Sequence, residues 1–319
     1  MAWRPLVARV RNWTREAYVP LRVMLHPDEG EAWGRALGVQ GPCTSVVAGF
    51  VLKQQQERLS KFSDLLEVTD DEIVMKPRFR TIEERSQAFQ KMEAELKEEG
   101  AFPFYQDEFY MSRTTFSSPT LFTYHRGVGP YFGLSQFATH LNGFVRDKET
   151  GNVTHVWIAT RSASKKRWPL MRDTIVGGGL PVGISALDNM VKEAQEEAGL
   201  KPDWARPRCV AAGSISYVSK HPYGLTNDTM FIFDVELPTD VVPLNQDGEV
   251  ESFDLLPVQE ALSRLWSEPE RFKPDVCILL LDFFVRHGVL NADNFDDYEE
   301  LQQALRSTEN PYDAFNRSN

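Results

Sequence analysis

Three glutamates near the middle of the chain have a spacing that suits metal binding. Glu193, Glu196 and Glu197, in the stretch KEAQEEAG, stand at positions i, i+3 and i+4, so a helix brings their carboxylates to one side. Like charges at this spacing repel by roughly 0.2–0.5 kcal/mol per pair, and the helix dipole adds a similar penalty near the C-terminal end. We expect the adjacent Lys192 to point away from this side. The pattern therefore predicts that the three glutamates bind Mg²⁺ or Mn²⁺, which prefer oxygen ligands.

The helix that carries these glutamates has local boundary signals. Ser185 followed by Asp188 is a capping box that starts the helix near Ala186, and Gly199 supplies the left-handed residue that ends it. An apolar stripe faces away from the carboxylates and is expected to pack on a sheet. The stripe consists of Leu187, Val191, Ala194 and Ala198.

Three consecutive glycines, Gly177, Gly178 and Gly179, precede the helix. Residues without a Cβ let backbone carbonyls and amides come close to a metal ion or a phosphate. An acidic stretch alone is more often the solvated face of a surface helix. The glycines beside it favour a site instead, in which Gly178 contributes to metal binding and Gly177 and Gly179 to substrate binding.

Together the glycines and glutamates resemble the Nudix box, a loop-helix-loop motif. The matching positions are Gly178, Glu193, Ala194, Glu196, Glu197, Gly199 and Leu200. Two positions depart from the motif, because Ile184 replaces an early glutamate and Lys192 replaces an arginine. In the family that pair mainly braces the loop, so the resemblance implies that the metal-binding glutamates and hydrolysis are retained. Gly183, Ile184 and packing are then expected to hold the loop.

The resemblance extends along most of the chain. THLNGFV, KKRWPLMRDTIVGGGLPVGIS, LNQDGEVESFDLLPV and FKPDVCILLLDFFVRHGVL are similar to a Nudix subgroup related to the N-terminal half of a yeast thiamine pyrophosphokinase. The implied substrates are diphosphates of thiamine and of its damaged oxy and oxo forms, cleaved to the monophosphate and phosphate. The implied fold is α+β: a Nudix α/β/α sandwich with a mixed sheet, preceded by a smaller, mainly helical α+β domain. We place an accessory domain at 1–115, the Nudix domain at 116–290 and a C-terminal helical tail at 291–319.

A fourth carboxylate from a later loop commonly serves as metal ligand or base. DGEVESF offers Glu249 and Glu251, and we favour Glu249 as a catalytic residue because it directly follows the turn at Asp247 and Gly248. The alternative is a surface strand edge that carries acids.

Cations in RSASKKRWPLMR are candidates for binding the phosphates, with a solvated loop as the alternative. The substrate-binding candidates are Arg161, Lys166 and Arg172, with Lys165 and Arg167 nearby. Residues that could reach the substrate, but whose types are more often structural, are Trp168, Tyr217, Phe144, His140 and Asn142.

Composition narrows the function classes. The net charge of −11 argues against a large nucleic-acid surface, and the apolar run VCILLLDFFV is too short to span a membrane. Cys43, Cys209 and Cys277 have no metal-site spacing, which favours a reducing, cytoplasmic location. The arginines of the first fifteen residues faintly resemble a mitochondrial presequence, although LVARVRNW reads equally well as a first helix. We expect a monomer or homodimer whose partner is a small diphosphate.

Two other functions stay open. One is a Nudix hydrolase of another diphosphate, such as a nucleoside diphosphate derivative. The other is a non-catalytic ligand-binding module. A kinase is disfavoured because the chain has no GxxxxGK[ST] loop.

Periodicity predicts the main elements. Helices are expected at 81–100, at 44–59 and in the stretches PVQEALSRLW, PDVCILLLDFFVRHG and DDYEELQQALRS. A hairpin is expected from HLNGFVRD to THVWIATRS, with further strands at DEIVMK, 210–219 and 229–237.

Overall fold

A computed structural model describes residues 3–102, 108–307 and Tyr312. The upstream elements are α1 (Trp3–Ala8), β1 (Tyr18–Met24), α2 (Pro27–Leu37), β2 (Ser45–Leu52), α3 (Gln56–Ser60), β3 (Leu66–Val68), β4 (Ile73–Met75), α4 (Ile82–Glu98), β5 (Phe109–Met111) and β6 (Thr123–His125). The first four strands form a sheet in the order β2-β1-β4-β3, and β5 pairs with β6. α4 begins after the predicted capping box of Thr81 and Glu84.

The helix prediction for 44–59 is wrong in its first half. The segment Ser45–Leu52, with the sequence SVVAGFVL, is β2, and only Gln56–Ser60 is α-helical. Valine and phenylalanine suit a strand buried on both faces, and periodicity alone does not separate such a run from a buried helix. The outcome is a buried strand at the edge of the upstream sheet.

The downstream elements position the glutamate helix. They are α5 (Gly129–Phe132), β7 (Ser135–Arg146), β8 (Val153–Arg161), β9 (Arg172–Asp173), β10 (Val176–Gly179), α6 (Ala186–Ala198), α7 (Pro202–Ala205), β11 (Val210–His221), β12 (Gly224–Glu236), β13 (Val250–Pro257), α8 (Val258–Ser267), α9 (Pro274–Arg286) and α10 (Tyr298–Arg306). The sheet has the order β11-β12-β7-β8-β13, with β10 on β7 and β9 on β8. β12 is parallel to β7 and the other pairs are antiparallel, so the sheet is mixed.

Helices cover both faces of this sheet. On one face Met190 and Ala194 of α6 pack in a cluster with Phe233 of β12. On the other face α9 contributes Phe283 to a cluster that includes Ile232. This is the α/β/α sandwich with a mixed sheet and an additional upstream α+β unit that the sequence predicts.

The upstream and downstream parts are interleaved at their ends. α1 packs against α9 and α10, although it belongs to the predicted accessory segment. The pair β5–β6 spans the predicted boundary between residues 115 and 116. The predicted tail 291–319 contains α10, while 308–311 and 313–319 lie outside the described residues. Across the described ranges we find no helix with the length and apolarity needed to cross a bilayer.

Candidate active site

The glycine triplet lies in a strand, β10, beside the glutamate helix. β10 runs antiparallel to β7, and α6 packs against it. A methyl group on Gly178 would overlap the carboxyl of Glu193, and one on Gly179 would overlap the hydroxyl of Tyr110. The glycines are therefore needed for close approach of side chains. Backbone conformation is the reason only at Gly183 in the following turn, where φ is 84°.

α6 has the predicted boundaries. The Oγ of Ser185 accepts a hydrogen bond from the N–H of Asp188 at 3.1 Å, and Gly199 ends the helix with φ of 66°. The caps set where the helix begins and ends, and packing of its apolar side in the core determines which glutamates face the glycines.

Glu197 is the most enclosed of the helix glutamates, at 7% exposure. Its Oε2 accepts a hydrogen bond from the N–H of Gly177 at 2.9 Å. Burial raises the pKa of Glu197 well above its ordinary value, and the negative charges of Glu193 and Glu249 raise it further. The sequence places Glu197 on the carboxylate side of the helix, and the structure adds that the glycine strand covers it there.

The sequence predicts that Lys192 points away from the carboxylates, and this prediction is wrong. Its Nζ lies 3.2 Å from Oε1 of Glu193 and 2.7 Å from Oε2 of Glu196. The flexible four-carbon stem lets the ammonium reach both carboxylates. Glu196 is consequently held outward and exposed, whereas Glu193 is half-buried against Gly178. Burial raises the pKa of Glu193, although Lys192 opposes that effect.

Glu249 joins the helix glutamates from the start of β13. Its carboxyl is a hydrogen-bonding neighbour of Glu197, and the ammonium of Lys165 pairs with it. Burial alone would raise the pKa of Glu249, but Lys165 holds it below its ordinary value. Glu251 is exposed on the same strand. The structure thus brings Glu249 to α6, and the catalytic role assigned to it stays a prediction.

The donor chemistry of these residues fits a divalent cation. Glu193 lies against Gly178, and Glu197 accepts a hydrogen bond from Gly177 with Glu249 beside it. The described part of the chain gives Glu197 no cationic partner. Gly178 leaves the space that Glu193 occupies. Within residues 3–102, 108–307 and 312, no three Asp, Glu, His or Cys side chains already stand close enough to hold a metal. Lys192 pairs with Glu193 and Lys165 pairs with Glu249, so a bound cation would compete with these lysines as the counter-charge.

The predicted phosphate-binding cations have other partners. Arg161 donates hydrogen bonds to two backbone carbonyls of its own loop and to Asp173, the last at 2.8 Å. Arg172 pairs with Glu268 at 3.3 Å. Lys166 is exposed. These contacts indicate that Arg161 and Arg172 brace the loop, and substrate binding by Arg161, Lys166 and Arg172 stays a prediction.

The polar residues of β7 have structural partners. His140 is buried, and its Nδ1 lies 2.9 Å from Oγ1 of Thr174. Burial lowers the pKa of His140 to about 4, so the ring is neutral at physiological pH. Asn142 donates a hydrogen bond to Asp234 at 3.0 Å. Phe144 lies in the core beneath α9.

A polar group occupies the α9 side of the sheet, near β11 and β12. Tyr217 donates a hydrogen bond to Oδ2 of Asp228 at 2.9 Å, and Oδ1 of Asp228 is buried without a hydrogen-bond partner among the residues that the structure describes. Burial raises the pKa of Asp228 to about 6. Trp168, in the loop between β8 and β9, is half-exposed in a left-handed conformation with φ of 53°, which is uncommon for such a residue.

The sequence gives no signal for three further residues, which are Tyr110 and Arg126 on the upstream hairpin and Lys273 directly before α9. Tyr110 contacts Gly179, and the charge of Arg126 acts on Glu193. Lys273 is buried, with Nζ 2.8 Å from Asp275. Burial would lower the pKa of Lys273, but nearby carboxylates raise it. No local motif marks these residues, and only the fold brings them to the site.

Replacing Gly178 by alanine is expected to lower kcat about 10- to 100-fold, because the new methyl group displaces the carboxyl of Glu193 by about an ångström. Steady-state kinetics measure the effect, and circular dichroism checks the fold. In a Glu193→Ala background, Gly178→Ala is expected to lower kcat little further, because the carboxyl that the new methyl group displaces is absent. An equal loss in both backgrounds would show that Gly178 acts by another route.

Comparisons with known proteins match both parts of the chain. A family model described as NUDIX domain matches residues 140–276, and one described as Domain of unknown function (DUF4743) matches residues 43–136.

Curated relatives cover most of the chain. Nudix hydrolase 20, chloroplastic, of Arabidopsis thaliana is 35% identical over 270 residues, which are 82% of this chain and 71% of that protein. Nudix hydrolase 24, chloroplastic, of the same plant is 35% identical over 268 residues, covering 82% of this chain and 70% of that protein. An uncharacterized protein of Saccharomyces cerevisiae is 33% identical over 187 residues, covering 55% of this chain and 54% of that protein.

Proposed function

Because this chain belongs to the Nudix hydrolase family, whose enzymes hydrolyse phosphorus-containing acid anhydrides, we propose that it cleaves a diphosphate to a monophosphate and phosphate with Mg²⁺. We propose further that the substrates are thiamine-type diphosphates, including the damaged oxy and oxo forms. The observation that carries the hydrolytic part is the placement of Glu193 and Glu197 against the glycine strand, with Glu249 beside Glu197.

The chain supplies the groups that such a hydrolysis needs. When bound, a divalent cation neutralises phosphate charge and lowers the pKa of a bound water. Glu193, Glu197 and Glu249 are the residues that would hold it. We assign the role of proton acceptor for the attacking water to Glu249, whose carboxyl neighbours Glu197. Glu196 is turned towards solvent and Lys192, so its part in metal binding requires a change of side-chain conformation.

The ring-binding part of the proposal is supported by Asp228. A buried carboxyl oxygen without a partner is costly, and a ligand that brings an N–H donor removes that cost. An aminopyrimidine ring carries such donors. Tyr217 orients the carboxyl of Asp228, and Trp168 offers an exposed aromatic face in the loop between β8 and β9. The negative charges of Asp228 and Glu193 both act on Tyr110 and raise its pKa.

A substrate panel tests the proposal. We expect phosphate release from thiamine, oxythiamine and oxothiamine diphosphates in the presence of Mg²⁺, with higher kcat/KM for the damaged forms. ADP-ribose and nucleoside diphosphates serve as controls and are expected to be poor substrates. Rapid turnover of the nucleotides alone would keep the hydrolase and reject the thiamine-type substrate. No turnover of any diphosphate would favour a non-catalytic binding module.

A further inference from the structure

We propose that Arg126 and Tyr110, which precede the matched Nudix segment, complete the substrate site, with Arg126 binding the phosphate end of the substrate and Tyr110 donating a hydrogen bond to it. The inference rests on the proposed diphosphate hydrolysis. Both residues lie within 43–136, the segment that matches a domain of unknown function. The upstream unit would thus contribute directly to the chemistry of the downstream one.

The hairpin of β5 and β6 places the two side chains over the glycine strand. The N–H of Arg126 donates to the carbonyl of Glu108 at 2.7 Å, which fixes the backbone just beyond β6. The guanidinium lies 5.7 Å from the centre of the Tyr110 ring. A Cβ on Gly179 would lie 3.1 Å from Cζ of Arg126 and would overlap the hydroxyl of Tyr110. Both groups therefore meet the end of β10, one residue from Gly178.

The positive charge of Arg126 acts on the proposed catalytic carboxylates. It favours the ionised forms of both Glu193 and Glu249, which come from different elements. A guanidinium that lies against the end of the glycine strand, and whose charge acts on carboxylates from two elements, is well placed for an anion that binds there. Its planar donors match phosphate oxygens in pairs, which favours arginine over lysine in this role.

The present partner of Arg126 does not prevent this role. Arg126 pairs with Glu108 at 2.9 Å, but the side chains are 37% and 36% exposed, and ion pairs of this kind are weak. The hydroxyl of Tyr110 is buried without a hydrogen-bond partner among the described residues, so it keeps a donor to offer. Other cations near the site are already engaged, since Lys165 pairs with Glu249 and Arg161 with Asp173.

Binding of methylenediphosphonate, a diphosphate analogue that cannot be hydrolysed, tests the proposal in the full-length protein. With Mg²⁺ present, calorimetry is expected to show that Arg126→Gln weakens binding about 10- to 100-fold, and that Arg126→Lys recovers part of it. Tyr110→Phe keeps the ring and is expected to weaken binding about three- to tenfold. KM for the hydrolysed substrate should rise in the same order.

Glu108→Gln separates substrate binding from bracing of the hairpin. If Arg126 binds phosphate, this variant keeps or improves affinity because Arg126 is released from its partner. If the ion pair only braces the hairpin, Glu108→Gln loses as much affinity as Arg126→Gln, and the proposal is overturned. Unchanged affinity of Arg126→Gln overturns it as well. Failure of the wild-type protein to bind the diphosphonate or hydrolyse any diphosphate would instead reject the underlying function.

Discussion

Replacing Glu197 by glutamine is expected to lower kcat by about three orders of magnitude. The variant keeps the shape of the side chain and its hydrogen bond from Gly177, but it removes the most enclosed negative charge beside the glycine strand. Effects of about 10²–10⁴ are typical when a single group of the reacting centre is lost. Steady-state phosphate release at saturating Mg²⁺ measures the change.

The loss in Glu197→Gln should not come from unfolding. Burial raises the pKa of Glu197 in the folded protein, so its contribution to stability is largest at low pH and is lost as pH rises through that raised pKa. At pH 8 a buried carboxylate at this position costs stability, and a neutral glutamine does not. The metal-free variant should therefore melt no lower than the wild type at pH 8. Glu251→Gln, on the exposed face of β13, is the matched control and should keep full activity. Equal activity of Glu197→Gln and wild type would remove Glu197 from the reaction.

Removal of divalent cations is expected to abolish phosphate release, with a loss of at least about 10³-fold in kcat. Glu193, Glu197 and Glu249 provide oxygen donors but no positive charge for the phosphates. Assays after treatment with EDTA, followed by addition of Mg²⁺ or Mn²⁺, measure the loss and its recovery.

The metal-free protein should remain folded throughout this experiment. Lys192 neutralises Glu193, and Lys165 neutralises Glu249, without any metal. Near-ultraviolet circular dichroism before and after EDTA provides the control. Full activity after thorough chelation would contradict the metal requirement, whereas loss of the near-ultraviolet signal would show that the metal holds the fold.

Local signals explain what the sequence predicts well. Ser185 and Gly199 bound α6, and Asp247 with Gly248 marks the turn that delivers Glu249. Each is a feature of a few neighbouring residues, for which side-chain chemistry and backbone preference decide the outcome. The hairpin of β7 and β8 and the helices α8 and α9 follow from periodicity in the same way.

Tertiary contacts explain what the sequence does not predict. A helical wheel gives the direction of Glu197 but not the glycine strand that covers it. The flexible stem of Lys192 lets its ammonium reach Glu193 and Glu196, which follow it in the helix. The sequence does not reveal that the guanidinium of Arg161 forms an ion pair with Asp173. Arg126 lies more than sixty residues before Glu193, and no spacing rule links the two.

Calorimetric titration of Mg²⁺ or Mn²⁺ into the full-length protein, with methylenediphosphonate present, tests the central claim most directly. The claim is that the acidic cluster on α6 exists to bind a divalent cation. We expect saturable uptake by the wild type and uptake weakened at least about tenfold in Glu197→Gln. Absence of uptake by the wild type, or equal uptake by both proteins, would contradict the claim.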